Sequence, residues 1–310
     1  MNETNRNIKK KIILFGATGL VGKTLFKILQ KKRYDICVVS RDAVKAKQIL
    51  KGASYYLSLS DTDMVNQVID GSYGIINLAG APIIGKRWSR EYKKIILESR
   101  IQTTNQIISA IKKAKHKPQI LINASAVGYY GTSTQDECTE NTSPGDDFLA
   151  HVCVEWEKEA EKARVYGTRV VAIRTGIVLE KNEGALKQIV RPYHLFLGGP
   201  IGSGRQWFPW IHAQDEAGII AYALDNKEVE GAINAVAPEI VTNKTFSQIL
   251  GNILHRPSTL PVPAIFLKII FGEAAEVLLT GVSATSKKAI DIGYTFLFPT
   301  LQKTLENIFV

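Results

Sequence analysis

The chain has 310 residues, of which 45% are hydrophobic and 22% charged, as in an ordinary soluble globular protein with one large domain and an appendage, or with two domains. The formal net charge is +10, but the basic residues are dispersed without interleaved aromatic residues, which favours solvated basic faces over a nucleic-acid surface. The cysteines, Cys37, Cys138 and Cys153, lie far apart and form no C-x-x-C motif, so they argue for a reducing compartment and against a structural metal.

The start of the chain and its hydropathy predict a cytoplasmic protein. Met1 to Asn7 is polar, lacks an apolar h-region and is followed at once by a core strand, so we expect no signal peptide. No apolar run reaches the length of a membrane span. We therefore expect neither a membrane nor a nucleic acid as a partner.

The first predicted element is a strand, Lys11 to Phe15, that runs into the glycine triplet Gly16-x-x-Gly19-x-x-Gly22 and then opens a helix. The triplet differs by one residue in its first interval from the G-x-G-x-x-G dinucleotide fingerprint. Phosphates bind at such a turn because the first amides of a helix have no intrahelical partner and the helix dipole adds positive potential. A P-loop is excluded because Ala17 stands where that motif needs glycine. The alternative is a plain turn between strand and helix.

A second apolar run, Ile36 to Ser40, completes a βαβ unit. An NAD-preferring site usually places Asp or Glu at the end of this strand, where it holds the ribose 2′-hydroxyl. Here the chain has Ser40 and Arg41. A guanidinium and a hydroxyl suit a 2′-phosphate, so the sequence predicts NADP(H); the alternative for Arg41 is an exposed loop charge.

Further strands and helices alternate along the chain to about residue 236. They are predicted at residues 54–57 (strand), 62–69 (helix), 74–80 (strand), 90–114 (helix capped by Ser89, with a break near Arg100), 120–124 (strand), 152–166 (helix), 169–174 (strand) and 232–235 (strand). Such alternation predicts an α/β fold, a Rossmann-type doubly wound parallel sheet covered by helices on both faces.

The alternation stops after this strand, and the rest of the chain has a different character. A helical pattern at 246–250, the proline-bounded stretch 261–263 and an apolar helix at about 264–271 predict a small, mostly helical C-terminal cap. We therefore expect a cofactor-binding domain over residues 1–236 and a substrate or cap region over 237–310. A cleft between the sheet ends and the cap would bind the ligand.

Several motifs together resemble the extended short-chain dehydrogenase/reductases, the NAD(P)-dependent epimerase/dehydratase class. These are the glycine triplet, Asn77-Leu78-Ala79-Gly80, the turn at Ser125 and Arg174-Thr175-Gly176. A longer set is similar to the atypical "epimerase family" proteins of bacteria, chloroplasts and animals: Arg87-Trp88, Ser99-Arg100-Ile101, residues 125–131, 198–200, 202–207 and 210–212. The resemblance covers nearly the whole chain.

The resemblance implies a set of cofactor-binding residues and one catalytic residue. The cofactor residues are Gly16, Thr18, Gly19, Leu20, Val21 and Gly22 at the pyrophosphate, Ser40 and Arg41 at the adenosine phosphate, Asn77, Leu78, Ala79 and Gly80 along the middle, with Arg100 and Arg174. Ser125 falls where the class keeps a serine or threonine that hydrogen-bonds the reacting carbonyl or hydroxyl. Its alternative is a strand-end serine bonded to backbone.

One departure from the class concerns its Tyr-x-x-x-Lys pair, in which lysine lowers the pKa of the phenol for proton transfer. Aligning Glu157 with the glutamate of the class's helix puts Leu149 at the tyrosine position and Cys153 at the lysine position. Neither side chain can do that chemistry. Tyr129, Tyr130 and His151 stay open as substitutes, because no spacing rule selects among them.

A second departure concerns the substrate. Nucleotide-sugar epimerases carry G-x-G-x-Q-x-R-x-F-x-H, in which the arginine grips the diphosphate, and here Phe208 replaces it. Arg205 is displaced to what would be the opposite face of a strand. We expect a small, largely apolar or aromatic-stacking substrate that meets Tyr129, Arg205, Trp207 and Phe208, with Trp210 serving either cleft or core.

The sequence thus favours an NADP(H)-binding oxidoreductase or epimerase-like enzyme with a small-molecule substrate and no metal. The alternative is a protein that binds or senses NADP(H) without turnover, which the missing Tyr-x-x-x-Lys pair makes credible. An RNA-binding protein is a third class, supported only by the net positive charge. Substrate, reaction direction and assembly, including a homodimer, stay open.

Overall fold

The computed structural model describes residues 9–84, 87–132 and 137–310; Met1 to Asn7, expected to carry no signal peptide, lie outside this range. The strands are β1 Lys11–Phe15, β2 Asp35–Ser40, β3 Tyr55–Ser58, β4 Gly74–Asn77, β5 Ile120–Ala126, β6 Glu137–Cys138, β7 Arg169–Thr175, β8 Ile177–Leu179, β9 Trp210–His212, β10 Gly231–Ala235 and β11 Ser283–Ala284.

The helices alternate with these strands in the first two thirds of the chain and dominate the last third. They are α1 Leu20–Lys31, α2 Ala43–Ile49, α3 Thr62–Ile69, α4 Arg90–Lys113, α5 Phe148–Glu161, α6 Gly184–His194, α7 Ala213–Asp225, α8 Asn243–Leu254, α9 Ala264–Phe271, α10 Glu276–Leu279, α11 Lys287–Asp291 and α12 Leu301–Phe309. Short 3-10 turns follow β5, α5 and α9.

Seven strands form one sheet in the order β3-β2-β1-β4-β5-β7-β10, and every neighbouring pair is parallel. The chain winds outward from β1 through β2 to β3, then returns to the other side of β1 to add β4 and its successors. The predicted doubly wound Rossmann-type sheet is confirmed. Ligands of such sheets bind at the carboxyl ends of the strands, at the point between β1 and β4 where the winding reverses.

Both faces of the sheet are buried, and the period of two along β1 shows why. Ile12 and Leu14 point into an apolar cluster with α1 and α7, whereas Ile13 and Phe15 point into a second cluster with α3 and α4. All four side chains are buried. A sheet covered on both faces holds the strand ends, and hence the site, in fixed relative positions.

Helix α4 is continuous, and the predicted break near Arg100 is wrong. Ser89 caps the helix as predicted, accepting a hydrogen bond from the backbone N of Tyr92 at 3.1 Å. The buried Arg100 side chain turns back along its own helix and donates from Nη1 to the carbonyl of Ile96 at 2.8 Å. Because that bond satisfies part of the guanidinium without interrupting the backbone ladder, the helix runs on to Lys113.

A third apolar cluster forms the body of the cap. It joins Phe208 and Trp210, which precede residue 237, to Phe246 on α8 and Leu305 on α12. Ala289 on α11, by contrast, packs into the first cluster beside the sheet. The cap is thus assembled from segments on both sides of the expected boundary, and the division of the chain at 236/237 stays a prediction.

Within the described ranges, no helix has the combination of length and apolar character that crossing a membrane requires. The same residues contain no group of three or more His, Cys, Asp or Glu side chains placed to hold a metal ion. The three cysteines are buried. The cytoplasmic location and the homodimer stay predictions.

Candidate functional site

The glycine turn after β1 is shaped by close backbone contacts. Gly16 has a φ of +73°, and a Cβ there would lie 2.6 Å from the carbonyl carbon of Leu78. A Cβ on Gly22 would lie 2.5 Å from the carbonyl oxygen of Gly16. These two glycines let β1, α1 and the end of β4 pack together. At Gly19 the nearest atom to a Cβ is 3.4 Å away, so this glycine leaves the turn open to a ligand.

The N-terminus of α1 is suited to an anion. Its N-cap, Gly19, offers no side-chain cap, and the first turn contains no acidic residue. The backbone N of Lys23 bonds the carbonyl of Gly19 at 3.0 Å, which leaves the preceding amides without an intrahelical acceptor. A phosphate that accepts these amides would satisfy them and meet the positive end of the helix dipole.

Ser40 and Arg41 lie beside this turn because β1 and β2 pair in register, Phe15 opposite Val39. The side chain of Arg41 is exposed, and no described residue forms an ion pair with it. The neighbouring Asp42 is held by the N-terminus of α2, where its Oδ1 accepts from the amide of Lys45 at 2.9 Å. A free guanidinium therefore faces solvent at the edge of the turn, as a 2′-phosphate site requires.

Asn77, the last residue of β4, stabilises the turn that follows this strand. It is fully buried, donates from Nδ2 to Asn123 at 2.7 Å and to Thr104 at 3.0 Å, and accepts from the backbone N of Ala79 at 3.2 Å. The last bond fixes the turn at Leu78, on which Gly16 rests. Asn77 therefore positions the backbone of the predicted cofactor-binding segment that it begins.

A cavity of ≈ 760 Å³ lies beyond the glycine turn, between the ends of β5 and β7, helix α5 and the cap. Leu20 and Val21 at the start of α1 form one side, and Trp207 and Phe208 in the cap form the other. Most of the lining is aliphatic or aromatic. An apolar cavity with a few polar groups is typical of a small-molecule site.

Ser125 lines this cavity near the end of β5 and is hydrogen-bonded to a buried ion pair. Its Oγ donates to Oε1 of Glu157 at 2.6 Å. Arg174 grips the same carboxylate with Nε and Nη2, each at 2.9 Å. Although burial opposes it, these bonds raise the pKa of the Arg174 guanidinium. Arg174, predicted to bind the cofactor, is thus occupied in holding Glu157, and it is not among the described residues that line the cavity.

Leu149 and Cys153, the residues predicted at the tyrosine and lysine positions of the class, both line the same cavity as Ser125. Burial raises the pKa of the Cys153 thiol to about 11. A buried neutral thiol and an alkyl side chain provide neither a proton relay nor a positive charge. The predicted departure from the class is therefore present at the site itself.

None of the three open substitutes lies on the described lining of the cavity. Tyr130 is buried and bonded to Asn234 at 2.5 Å, and burial raises its pKa to about 12. The ring of Tyr129 lies under the guanidinium of Arg174, 3.4 Å from its Cζ. His151 is exposed on α5. The structure does not bring Tyr129, a predicted substrate residue, to the cavity.

The aromatic residues of the cap divide between cavity and core. Trp207 and Phe208 line the cavity, and Phe208 stacks on Phe246 with ring centroids 4.0 Å apart. Trp210 is buried in the core. Arg205, a predicted substrate residue, is exposed and lies outside the described lining. The reason is that Gly202 and Gly204 have positive φ angles, so this segment turns and the expected strand alternation does not apply.

The structure also reveals a pair that the sequence analysis missed. Thr175 lines the cavity and donates from Oγ1 to Oε1 of Glu216 at 2.7 Å. Glu216 is 1% exposed, and burial raises its pKa to about 8. In the sequence, Glu216 lies in the first turn of a helix, where acidic residues are common because of the helix dipole. No sequence signal distinguishes it from a solvated helix-start residue.

Comparison with known families assigns nearly the whole chain. The model of the "NAD dependent epimerase/dehydratase family" matches residues 12–236, and a "Domain of unknown function (DUF1731)" matches residues 262–308. The chain is 40% identical to the Arabidopsis thaliana "Epimerase family protein SDR39U1 homolog, chloroplastic" over 94% of its own length and 85% of that protein. It is 39% identical to the Bacillus subtilis "Epimerase family protein YfhF", over 96% and 97% of the two chains.

Among solved structures, the human epimerase family protein SDR39U1, crystallised with NADPH, superposes with a TM-score of 0.86. The two chains are 33% identical, and the match covers 96% of this chain and 98% of the human one. The likeness therefore extends over the sheet and the cap alike.

Proposed function

This chain belongs to the NAD dependent epimerase/dehydratase family, and on that premise we propose that it binds NADP(H) and acts as an oxidoreductase or epimerase-like enzyme on a small, largely apolar substrate. The observation that carries the proposal is Ser125, a hydroxyl fixed by a buried ion pair on the wall of an apolar cavity. The cavity adjoins a glycine turn suited to a dinucleotide phosphate.

The residues of the turn fit NADP(H). The uncapped start of α1 and the open face at Gly19 suit the pyrophosphate, and the unpaired Arg41 suits the 2′-phosphate. When bound, NADP(H) supplies or accepts a hydride. The human relative whose structure was solved with NADPH supports this choice of cofactor.

Ser125 orients the reacting oxygen of the substrate. Because its proton is directed at Glu157, the lone pairs of its Oγ are available to accept a hydrogen bond from a substrate hydroxyl. Glu157 cannot rotate away without losing both bonds from Arg174. The hydroxyl is therefore held in one orientation before the substrate arrives, which lowers the entropic cost of reaching the reactive geometry.

The lining favours an alcohol or carbonyl compound with apolar groups over a nucleotide sugar. Phe208, stacked on Phe246, occupies the place of the diphosphate-binding arginine. Of the cations on the lining, Lys93 is paired with Glu273, and Arg100 is bonded to backbone carbonyls. A diphosphate would have to displace these partners, whereas an apolar substrate would not.

A second candidate is an NADP(H)-binding protein without turnover. The observation that favours it is the pair Leu149 and Cys153, which line the cavity at the positions of the catalytic tyrosine and lysine. This candidate keeps the cofactor site and gives the apolar cavity a binding role.

The two candidates are separated by reduction of NADP⁺ with a panel of alcohols, because the Ser125 hydroxyl, which donates to Glu157, can accept from an alcohol but has no proton for a carbonyl oxygen. We expect slow turnover in the wild type and a loss of about a hundredfold or more in Ser125→Ala, with NADPH affinity within a few-fold of wild type. Ser72→Ala is the matched control, since Ser72 is also buried but donates to the carbonyl of Ile69 at 2.9 Å. Activity that survives in Ser125→Ala would make this serine structural. Tight NADPH binding without any wild-type turnover would favour the second candidate.

A further inference from the structure

The ends of β5 and β7 carry two hydroxyl groups that both line the cavity. Ser125 stands opposite Arg174 and Ala126 opposite Thr175, so the two hydroxyls leave the sheet on opposite faces, Ser125 toward Glu157 on α5 and Thr175 toward Glu216 on α7. Each hydroxyl donates to a carboxylate, Ser125 to Glu157, which is 13% exposed, and Thr175 to the buried Glu216. The proposed function uses the Ser125–Glu157 pair, but it gives no role to the Thr175–Glu216 pair.

Among the described residues, no cation acts on Glu216 to hold it ionised. Oε1 accepts from Thr175, and Oε2 is enclosed with no hydrogen-bond partner in the described part of the chain. The titratable groups nearby are Asp215, which precedes it in the chain, Tyr294, whose phenol interacts with its charge, and His212, the N-cap of the same helix. Asp215 accepts from the hydroxyl of Tyr294 at 2.9 Å, and burial raises the pKa of that phenol. Burial lowers the pKa of His212, so at neutral pH its ring is uncharged.

We propose that Thr175 and Glu216 carry the proton of the reaction, in place of the tyrosine and lysine that this chain lacks. The inference rests on the proposed function. Thr175 is the group that touches the substrate oxygen, and Glu216 acts through it. The Oγ1 of Thr175 has lone pairs to accept from a substrate hydroxyl while its own proton is already directed at Glu216.

In the proposed reaction, oxidation of an alcohol substrate moves one proton and one hydride. The substrate O–H bond breaks and its proton goes to Thr175 Oγ1, while the original Thr175 proton moves to Oε1 of Glu216. The C–H bond of the same carbon breaks, and its electron pair leaves as hydride to NADP⁺. The alcohol becomes a carbonyl compound, NADP⁺ becomes NADPH, and Glu216 becomes a neutral acid. Reduction of a carbonyl runs through the same atoms in reverse.

Glu216 suits this role better than the other buried groups near the cavity. An efficient acid or base has a pKa close to the working pH. Burial raises the pKa of Glu216 to about 8, whereas it raises that of Cys153 to about 11 and that of Tyr130 to about 12. Of these groups, Glu216 exchanges its proton most readily in the neutral range.

The first arm of the test is kinetic. Glu216→Gln keeps the size of the side chain and an oxygen for the Thr175 hydroxyl but cannot take a proton. We expect turnover to fall at least a hundredfold and the pH dependence near 8 to disappear, with NADPH affinity within a few-fold of wild type. Thr175→Val should show the same loss, and Thr175→Ser should restore most of the activity.

The second arm needs neither cofactor nor substrate. Because the folded-state pKa of the Glu216 carboxyl is raised from about 4.5 to about 8, this one group is protonated in the folded protein and ionised in the unfolded chain between these pH values. Its stability should therefore fall as the pH rises through this window. Glu216→Gln should lack that part of the slope, measured by urea unfolding from pH 5 to 9. Glu155→Gln, a half-exposed carboxylate paired with Lys158, should keep it.

The outcomes are distinguishable. A pH slope of unfolding that is identical in wild type and Glu216→Gln overturns the inference, because Glu216 would then not exchange a proton in the working range. Turnover that persists in Glu216→Gln also overturns it but leaves the proposed function standing. Absence of wild-type turnover on every compound, with NADPH bound, overturns both. If Glu216→Gln fails to fold, the Thr175→Val and Thr175→Ser pair decides the kinetic arm.

Discussion

Glu157 and Glu216 form a natural pair for comparison, because both carboxylates accept a hydroxyl from a neighbouring strand end at nearly the same distance, 2.6 and 2.7 Å. They differ in the other groups that contact each carboxylate. Glu157 is held by two bonds from Arg174, whereas no described cation reaches Glu216. The same residue type is therefore the anchor of an ion pair in one place and, in the proposed reaction, a proton acceptor in the other. Burial and the counter-ion decide between these states.

This difference gives the two hydroxyls different roles in the proposed reaction. The Arg174–Glu157 pair gives Ser125 a fixed orientation. The unpaired Glu216 gives Thr175 an acceptor whose charge can change. A pair of titratable groups pushed to different charge states by their surroundings is a common arrangement for acid–base chemistry.

The largest effect should come from removing the cation of the first pair. Arg174→Met leaves Glu157 buried and unpaired, and breaking a buried ion pair from one side costs about 3–5 kcal/mol. The side chains of Arg174 and Glu157 are only 5% and 13% exposed, so solvent offers little compensation. The free energy of unfolding in urea at pH 7 measures the loss.

Arg164→Met is the matched control for this experiment. Arg164 pairs with Glu161 and Glu230, but the side chains of all three are more than a third exposed. Its loss should therefore cost less than about 1 kcal/mol. Similar costs for Arg174→Met and Arg164→Met would show that Glu157 does not depend on its counter-ion, and the contrast with Glu216 would collapse.

A middle-sized effect should separate the two hydroxyls. Thr175→Val removes the one hydrogen bond that the described residues give Glu216, which should lower the free energy of unfolding by about 1–3 kcal/mol. The loss should be larger at pH 9, where the carboxylate is charged, than at pH 5. Ser125→Ala should cost about 1 kcal/mol or less, because Glu157 keeps both bonds from Arg174. Unfolding free energies of both variants at the two pH values test the comparison. A larger cost for Ser125→Ala at pH 9 would reverse it.

The smallest effect lies at the cofactor end of the cleft, away from both carboxylates. We expect NADPH to bind at least tenfold more tightly than NADH, a difference of about 1.4 kcal/mol, and Arg41→Ala to remove most of this preference. The pH slope of unfolding should not change, since Arg41 is exposed and pairs with no described residue. Calorimetry with both nucleotides measures the preference.

Lys45→Ala serves as the control for Arg41→Ala, because Lys45 is a nearby exposed cation of the same sign. If Lys45→Ala weakened the preference as much, the effect would reflect general attraction of anions and not a 2′-phosphate contact. Equal affinities for the two nucleotides in the wild type would remove the basis of the cofactor choice.

The sequence by itself determined the architecture and much of the cofactor end. Periodic apolar runs predicted the strands and the parallel sheet, because burial on two faces leaves a local pattern. The glycines at positions 16 and 22 predicted the tight turn, since only residues without a Cβ permit the close backbone contacts found there. The alignment of Glu157 predicts Leu149 and Cys153 at the tyrosine and lysine positions of the class, and both side chains line the cavity, because residues four apart on one helix share a face.

Only the tertiary structure decided which groups pair and what charge they carry. The pairs Ser125–Glu157, Arg174–Glu157 and Thr175–Glu216 join residues that are 32, 17 and 41 positions apart. The local sequence pattern also gave two wrong predictions, a break near Arg100 in α4 and a regular strand alternation at the turn that exposes Arg205. The physical reason is that desolvation and counter-ions arise from what packs against a side chain. A carboxylate in the first turn of a helix looks the same in sequence whether it meets water, an arginine or a closed apolar wall.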